Sequence, residues 1–180
     1  MHIVSLSGSP SPRSRSRWLL QLAQTRLEGS AGTSSLIAVR ELPSAALLDA
    51  DARAEPIRRA IEQIQRADLL LVATPIYKAA YSGLLKLFLD LLPPDSLRGK
   101  TVLPLATGGS LAHFLALDYA LKPVLAALGA RDILDGVYAT DAQLVAHESG
   151  GFVPDAGLVE RLDRALQPLA PLDVEARCSA

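Results

Sequence analysis

The sequence predicts an α/β domain built on a five-stranded parallel sheet, and three observations carry that reading. Short strand-type runs alternate with helical stretches, one run is apolar without a break, and glycine-, serine- or proline-rich turns follow several of the runs. Ile3-Val4-Ser5-Leu6 is the first strand, closed by Gly8-Ser9-Pro10. From about Ser14 the pattern is helical, with Leu19, Leu22, Ala23 and Leu27 on one face. Ser35 to Val39 is a second strand. Pro56 to Gln65 is a helix striped by Ile57, Ala60, Ile61 and Ile64, with Pro56 suited to its first turn. Asp68 to Ala73 (DLLLVA) is the unbroken run, of the kind buried on both faces of a parallel sheet. Ser82 to Leu92 is a helix, Thr101 to Ala106 a fourth strand, and Ser110 to Leu128 a long helix. Ile133 to Ala139 is a fifth strand interrupted by Asp135-Gly136, and Asp155 to Leu169 is the last helix. Strand order 2-1-3-4-5, with helices on both faces, is the common solution at this length.

Composition sets the bounds. The 180 residues predict one domain over 1–170, with 171–180 as a flexible tail. Hydrophobic residues make up 49% and aromatics 4%, so Leu, Ala, Val and Ile must build the core. A formal charge of −1 argues against nucleic acid as the main partner, because broad phosphate binding needs a basic excess. The single cysteine, Cys178, excludes a disulfide framework and fits a reducing cytoplasm. No signal peptide and no membrane span are expected. His2 and His147 lack partners at metal-ligand spacing, so no metal site is expected either.

In such a sheet, ligands bind beyond the carboxyl ends of the strands, where strands 1 and 3 part. After strand 1 comes Gly8-Ser9-Pro10-Ser11-Pro12-Arg13-Ser14-Arg15-Ser16-Arg17, a loop of hydroxyls and guanidiniums running into a helix start. Free amides at that helix end add donors, which together suit a phosphate monoester. It is neither a Walker loop nor a Gly-x-Gly-x-x-Gly turn. A plain serine-rich N-cap with solvated arginines is the simpler alternative. Three cations against the positive end of a helix dipole are unfavourable without an anion, however, and that favours phosphate. After strand 3 comes Thr74-Pro75-Ile76-Tyr77-Lys78, and after strand 4 Thr107-Gly108-Gly109-Ser110. Paired glycines let backbone approach a flat ligand, and their amides can donate to ring carbonyls. Alone, each of these loops is as well explained by a tight turn or a rim aromatic. Together they describe a mononucleotide with a planar head.

Four segments sharpen this reading: Gly8-Ser9-Pro10, Ala73 to Gly83 (ATPIYKAAYSG), Leu103 to Gly109 (LPLATGG) and Asp118 to Leu125 (DYALKPVL). They resemble the flavodoxin-like NADPH-dependent FMN reductases, especially the reductase components of alkanesulfonate monooxygenase systems. The resemblance covers about residues 1–170. It implies that Ser9, Ser14, Arg15 and Ser16 hold the FMN phosphate. Pro75, Ile76, Tyr77 and Lys78 would line the ring's edge, and Thr107, Gly108 and Gly109 its pyrimidine side. Ser11 stands where many relatives carry an arginine, and Arg13 follows it. The implied activity is reduction of FMN by NADPH or NADH for a flavin-dependent monooxygenase in organosulfur metabolism. Hydride transfer to flavin needs no protein acid or base, so no catalytic side chain is expected. An FMN-bound quinone or azo reductase is the rival enzyme, and a flavodoxin-type electron carrier the rival outside enzymes.

Two helices point to a partner. Leu84 to Leu92 (LLKLFLDLL) carries only Lys86 and Asp90 as polar residues, and the helix from Ser110 spreads apolar residues around its surface. A homo-oligomer, dimer or tetramer, is expected on them. His113, in the first turn of the second helix, is expected near the flavin or buried at a subunit contact. The resemblance also implies that Tyr119 is an inserted residue widening one turn into a π-bulge at the interface, where it gates flavin release. Pro123 fits this, since it lacks the amide that would bond back to the Tyr119 carbonyl.

Overall fold

The computed structural model describes residues 1–27, 29, 32–148 and 150–169; the expected tail and Cys178 lie outside them. Strand β1 (His2–Ser7) leads to helix α1 (Arg15–Arg26), and β2 (Thr33–Ala38) through a 3₁₀ turn to the short α2 (Ser44–Leu48). Helix α3 (Glu55–Arg66) precedes β3 (Leu69–Tyr77), which turns back as β4 (Ala80–Tyr81) before α4 (Gly83–Leu89). Strand β5 (Thr101–Gly108) is followed by a 3₁₀ turn (Leu111–His113), a π-helical turn (Leu117–Leu121) and α5 (Lys122–Ala127). The chain closes with β6 (Asp132–Ile133), β7 (Val137–Thr140), the hairpin β8 (Leu144–Ala146) and β9 (Phe152–Pro154), and α6 (Ala156–Leu166).

The sheet runs β2-β1-β3-β5-β6, all parallel. β7 pairs in parallel with the far end of β5, while β4 is antiparallel to β3. The expected fifth strand is thus two short pieces on one edge, separated by the segment containing Asp135 and Gly136. Alternation of side chains along each strand divides the core. Val4, Leu6, Leu70 and Val72 pack with α3, α4 and α5, while Ile3, Leu69, Leu71 and Ala73 pack with α1 and α6. Both faces of β3 are covered, which is why its sequence shows no polar alternation. Under the first face, Lys100 caps the end of α3 by donating to the carbonyls of Gln65 and Ala67 at 2.7 and 2.8 Å. Burial lowers its pKa. Among the described residues no helix is long and apolar enough to cross a membrane.

The apolar surface of the two helices expected to seek a partner is partly covered within the chain. Leu85, Phe88 and Leu89 of α4 are buried in the chain's own core, and Leu84 and Leu87 pack partly against it. One sheet face plus α2 therefore satisfies most of α4. The long helix expected from Ser110 is broken into 3₁₀, π and α pieces, and the exposed apolar residues collect on its first part: Leu111, Phe114, Leu115 and Tyr119.

Candidate flavin site

Local chemistry places each wall. Ser14 is the N-cap of α1, its hydroxyl accepting from the Arg17 amide at 3.1 Å. Ser9 Oγ accepts from the Ser11 amide at 3.2 Å, leaving its own proton to donate. The first turn of α1 contains no acid, so the positive end of its dipole is uncompensated. Ser82 N-caps α4 and ties two loops together. It accepts from the Leu85 amide at 3.1 Å and donates to the Gly8 carbonyl, and its own amide donates to Thr74 Oγ1 at 3.0 Å. Loop and helix also meet closely at Gly8, where a Cβ would lie 2.6 Å from Leu85 Cβ.

The loop after β5 is held from beneath. Tyr138, buried on β7, donates its hydroxyl to the Ser110 carbonyl at 2.7 Å. Burial, and then the Asp141 carboxylate, raise its pKa, so the phenol stays a donor at neutral pH. Lys78 and Ala79 both hold positive φ, 49° and 64°, as the central pair of the tight β3–β4 turn. Non-glycine residues in that region cost about 1 kcal/mol or more each, and such strain concentrates at functional sites.

At the carboxyl ends of β1, β3, β5 and β7 these loops enclose a cavity of about 290 Å³. The β1 loop contributes Ser9, Ser11, Arg13, Ser14 and Arg15, β3 contributes Pro75, Ile76 and Tyr77, and β5 contributes Thr107, Gly108 and Gly109. Asp141 completes the wall. The donor set fits a phosphorylated flat ligand: hydroxyls and guanidiniums at one end, glycine backbone and an exposed tyrosine at the other. A Cβ on Gly109 would find no atom nearer than 4.0 Å, so backbone there is open to a ring.

Three expected residues are not on that wall. Ser16 is wholly buried and shares a 2.9 Å hydrogen bond with Ser14, which is on the wall. Lys78 holds a central position of the β3–β4 turn and is exposed. His113 is exposed on its 3₁₀ turn in the single chain and lies off this cavity wall. Arg15 is on the wall but partly engaged. Its Nε donates to the Leu144 carbonyl at 3.1 Å and lies 3.5 Å from Asp141, and the guanidinium sits 5.1 Å from the Phe152 ring centroid. Sequence reasoning missed Ser82, Tyr138 and Asp141. For Ser82 a signal existed, a serine immediately before a helical apolar run. Tyr138 and Asp141 act across the sheet and had none.

A π-helical turn is present at Leu117–Leu121, with the Lys122 amide donating to the Leu117 carbonyl five residues back. Tyr119, at its centre, is 79% exposed.

A family profile described as NADPH-dependent FMN reductase matches residues 1–144. The FMN reductase (NADPH) of Escherichia coli (strain K12) is 49% identical over 168 residues, 93% of this chain and 87% of that protein. The NADH-dependent FMN reductase SfnF of Pseudomonas putida is 33% identical over 174 residues, 94% and 91% of the two chains. Among solved structures, the apo form of NADH:FMN oxidoreductase (EMOB) superposes with a TM-score of 0.84 at 39% identity, covering 93% of this chain and 87% of the other.

Proposed function

Since this chain belongs to the NADPH-dependent FMN reductase family, we propose that it reduces FMN with a reduced nicotinamide nucleotide and passes the product to a flavin-dependent monooxygenase of organosulfur metabolism. The reading is carried by the cavity where strand-end loops join a hydroxyl and guanidinium cradle to a glycine floor. FMN, when bound, supplies the two-electron acceptor; the chain supplies binding, orientation and electrostatics. Ser9, Ser14, Arg13 and Arg15 hold the phosphate, and the Gly108 and Gly109 amides face the carbonyls of the ring, where negative charge grows on reduction. Tyr77 covers an edge from the rim. No side-chain acid or base is required. NADPH oxidation with and without added FMN tests the transfer role. Dependence on free FMN supports it, and a permanently yellow protein that turns over quinone without added FMN overturns it.

Arg15→Ala is expected to weaken FMN binding by roughly 1.5–3 kcal/mol, the usual size of a lost charge-assisted hydrogen bond. The terminal nitrogens of Arg15 have no hydrogen bond among the described residues and are left for a ligand. Riboflavin, which lacks the phosphate, should bind the variant as it binds wild type. Flavin titration decides, and equal losses for the two flavins remove Arg15 from the phosphate site.

The exposed apolar set Leu111, Phe114, Leu115 and Tyr119 lies just past the glycine loop and supports assembly through that face. Wild type is expected to scatter light as a dimer or larger. Leu115→Glu should reduce its mass without unfolding it, because Leu115 is already about half exposed in the single chain (46%). A monomeric wild type at micromolar concentration rules the interface out.

A further inference from the structure

A second and larger cavity, about 830 Å³, lies beside the flavin site and shares Arg13 and Ser14 with it. Arg13 and Arg17 line it at the start of α1, Arg40 lines it from the 3₁₀ turn after β2, and Trp18, Gln21 and Phe152 are further parts of its wall. The arginines are gathered, not scattered. Glu41 Oε1 lies 3.1 Å from Arg17 Nη1 and 3.9 Å from Arg40 Nη1, so one carboxylate oxygen draws both guanidiniums together. The Arg13 side chain has no hydrogen bond or ion pair among the described residues. Among the described residues that line the cavity, Glu148 is the only acid. With Glu41 counted, three guanidiniums stand against two carboxylates beside a helix end that already repels cations, and a bound dianion would relieve both effects. Guanidinium forks match phosphate oxygens in geometry as well as charge. Trp18 and Phe152 meet edge to face at 6.4 Å, giving the same cavity an aromatic surface for a heterocyclic base.

We propose that this cavity seats the adenosine 2′-phosphate end of NADPH, with Arg17 and Arg40 on the phosphate, and that it sets a preference for NADPH over NADH. The inference rests on reading the first cavity as the place where nicotinamide meets flavin. A dinucleotide whose nicotinamide meets flavin in the first cavity must extend beyond it, so its remote half needs a seat nearby. The adjoining cavity is large enough for an adenosine with its phosphate, and the 2′-phosphate is the group by which the two reductants differ.

The test uses adenosine 2′,5′-bisphosphate and 5′-AMP, titrated by calorimetry into protein saturated with FMN so that the flavin phosphate cradle is filled. Wild type should bind the bisphosphate about tenfold or more tightly than 5′-AMP, as expected for one charge-assisted contact. Arg17→Ala/Arg40→Ala should lose that preference, and its ratio of kcat/KM for NADPH to that for NADH should fall by a similar factor. Arg40→Ala alone, which keeps the Arg17–Glu41 pair, should move part of the way and guards against misfolding of the double variant. Equal affinity for the two nucleotides in wild type overturns the proposal, as does a preference that survives in the variants. Bisphosphate binding abolished by FMN overturns it too, because the flavin cradle is then its site. Failure of the flavin reading would show separately, as absence of FMN-dependent NADPH oxidation by wild type, while titration of flavin-free protein still reports on the arginine cavity.

Discussion

Deletion of Tyr119 is expected to leave FMN bound through purification and to cut NADPH oxidation driven by added FMN by roughly tenfold or more, about 1.4 kcal/mol in the barrier to flavin exchange. In the π-helical turn Leu117–Leu121 the Lys122 amide reaches back five residues to Leu117. Removing one residue between them restores the ordinary four-residue step. Pro123 helps to hold the present arrangement, since it offers no amide to the Tyr119 carbonyl. The deletion should be tolerated because Tyr119 is exposed while its neighbours Leu117 and Leu121 are the ones buried. Single π turns are uncommon and gather at functional sites, and this one follows the glycine loop of the flavin cavity after a single 3₁₀ turn. The proposed role is a loose cover that lets reduced FMN leave. Bound flavin per subunit and steady-state NADPH oxidation with excess FMN are the two readouts. A folded deletion variant that purifies colourless and turns over normally leaves Tyr119 without a gating role.

The parts of this fold legible in sequence are those decided locally. DLLLVA announces a central strand because both of its faces are covered, and Ile57, Ala60, Ile61 and Ile64 announce α3 because only one of its faces is. The strand-end loops were legible as a set because sheet topology brings them together, and most of their expected ligand residues share the cavity wall. What the sequence leaves open depends on tertiary partners. Ser16 looks like a free hydroxyl in sequence, yet it is buried against Ser14. The apolar run of α4 suggests a subunit contact, yet Phe88 and Leu89 fill the chain's own core. Ser110 to Leu128 reads as one helix because helical periodicity tolerates an inserted residue. The sequence holds Pro123 as a hint of the break but nothing that locates its 3₁₀ start.

Gly108→Ala is expected to destabilise the protein by about 1–3 kcal/mol, the cost of overpacking, and to weaken FMN binding with it. A Cβ at this position would lie 2.2 Å from the Tyr138 hydroxyl oxygen and 3.2 Å from its Cζ. Neither side can retreat freely. Gly108 is paired with Thr140 in the sheet, and Tyr138 is buried with its hydroxyl committed to the Ser110 carbonyl. Displacing the phenol would release that carbonyl and loosen the glycine loop that forms the ring side of the cavity. The hard collision is with a single oxygen, so removing that oxygen should relieve most of it. Tyr138→Phe alone should cost about 1 kcal/mol for the lost hydrogen bond. In the Gly108→Ala background the same change should stabilise, because the closest remaining atom, Cζ, need give only a few tenths of an ångström. A double-mutant cycle by thermal unfolding is therefore expected to show favourable coupling of about 1 kcal/mol or more. FMN affinity should recover in the same order, with Gly108→Ala weakest and the double variant intermediate. Additive losses in the cycle would mean that the loop, not the Tyr138 hydroxyl, absorbs the extra carbon, and that Tyr138 does not hold the glycine floor in place.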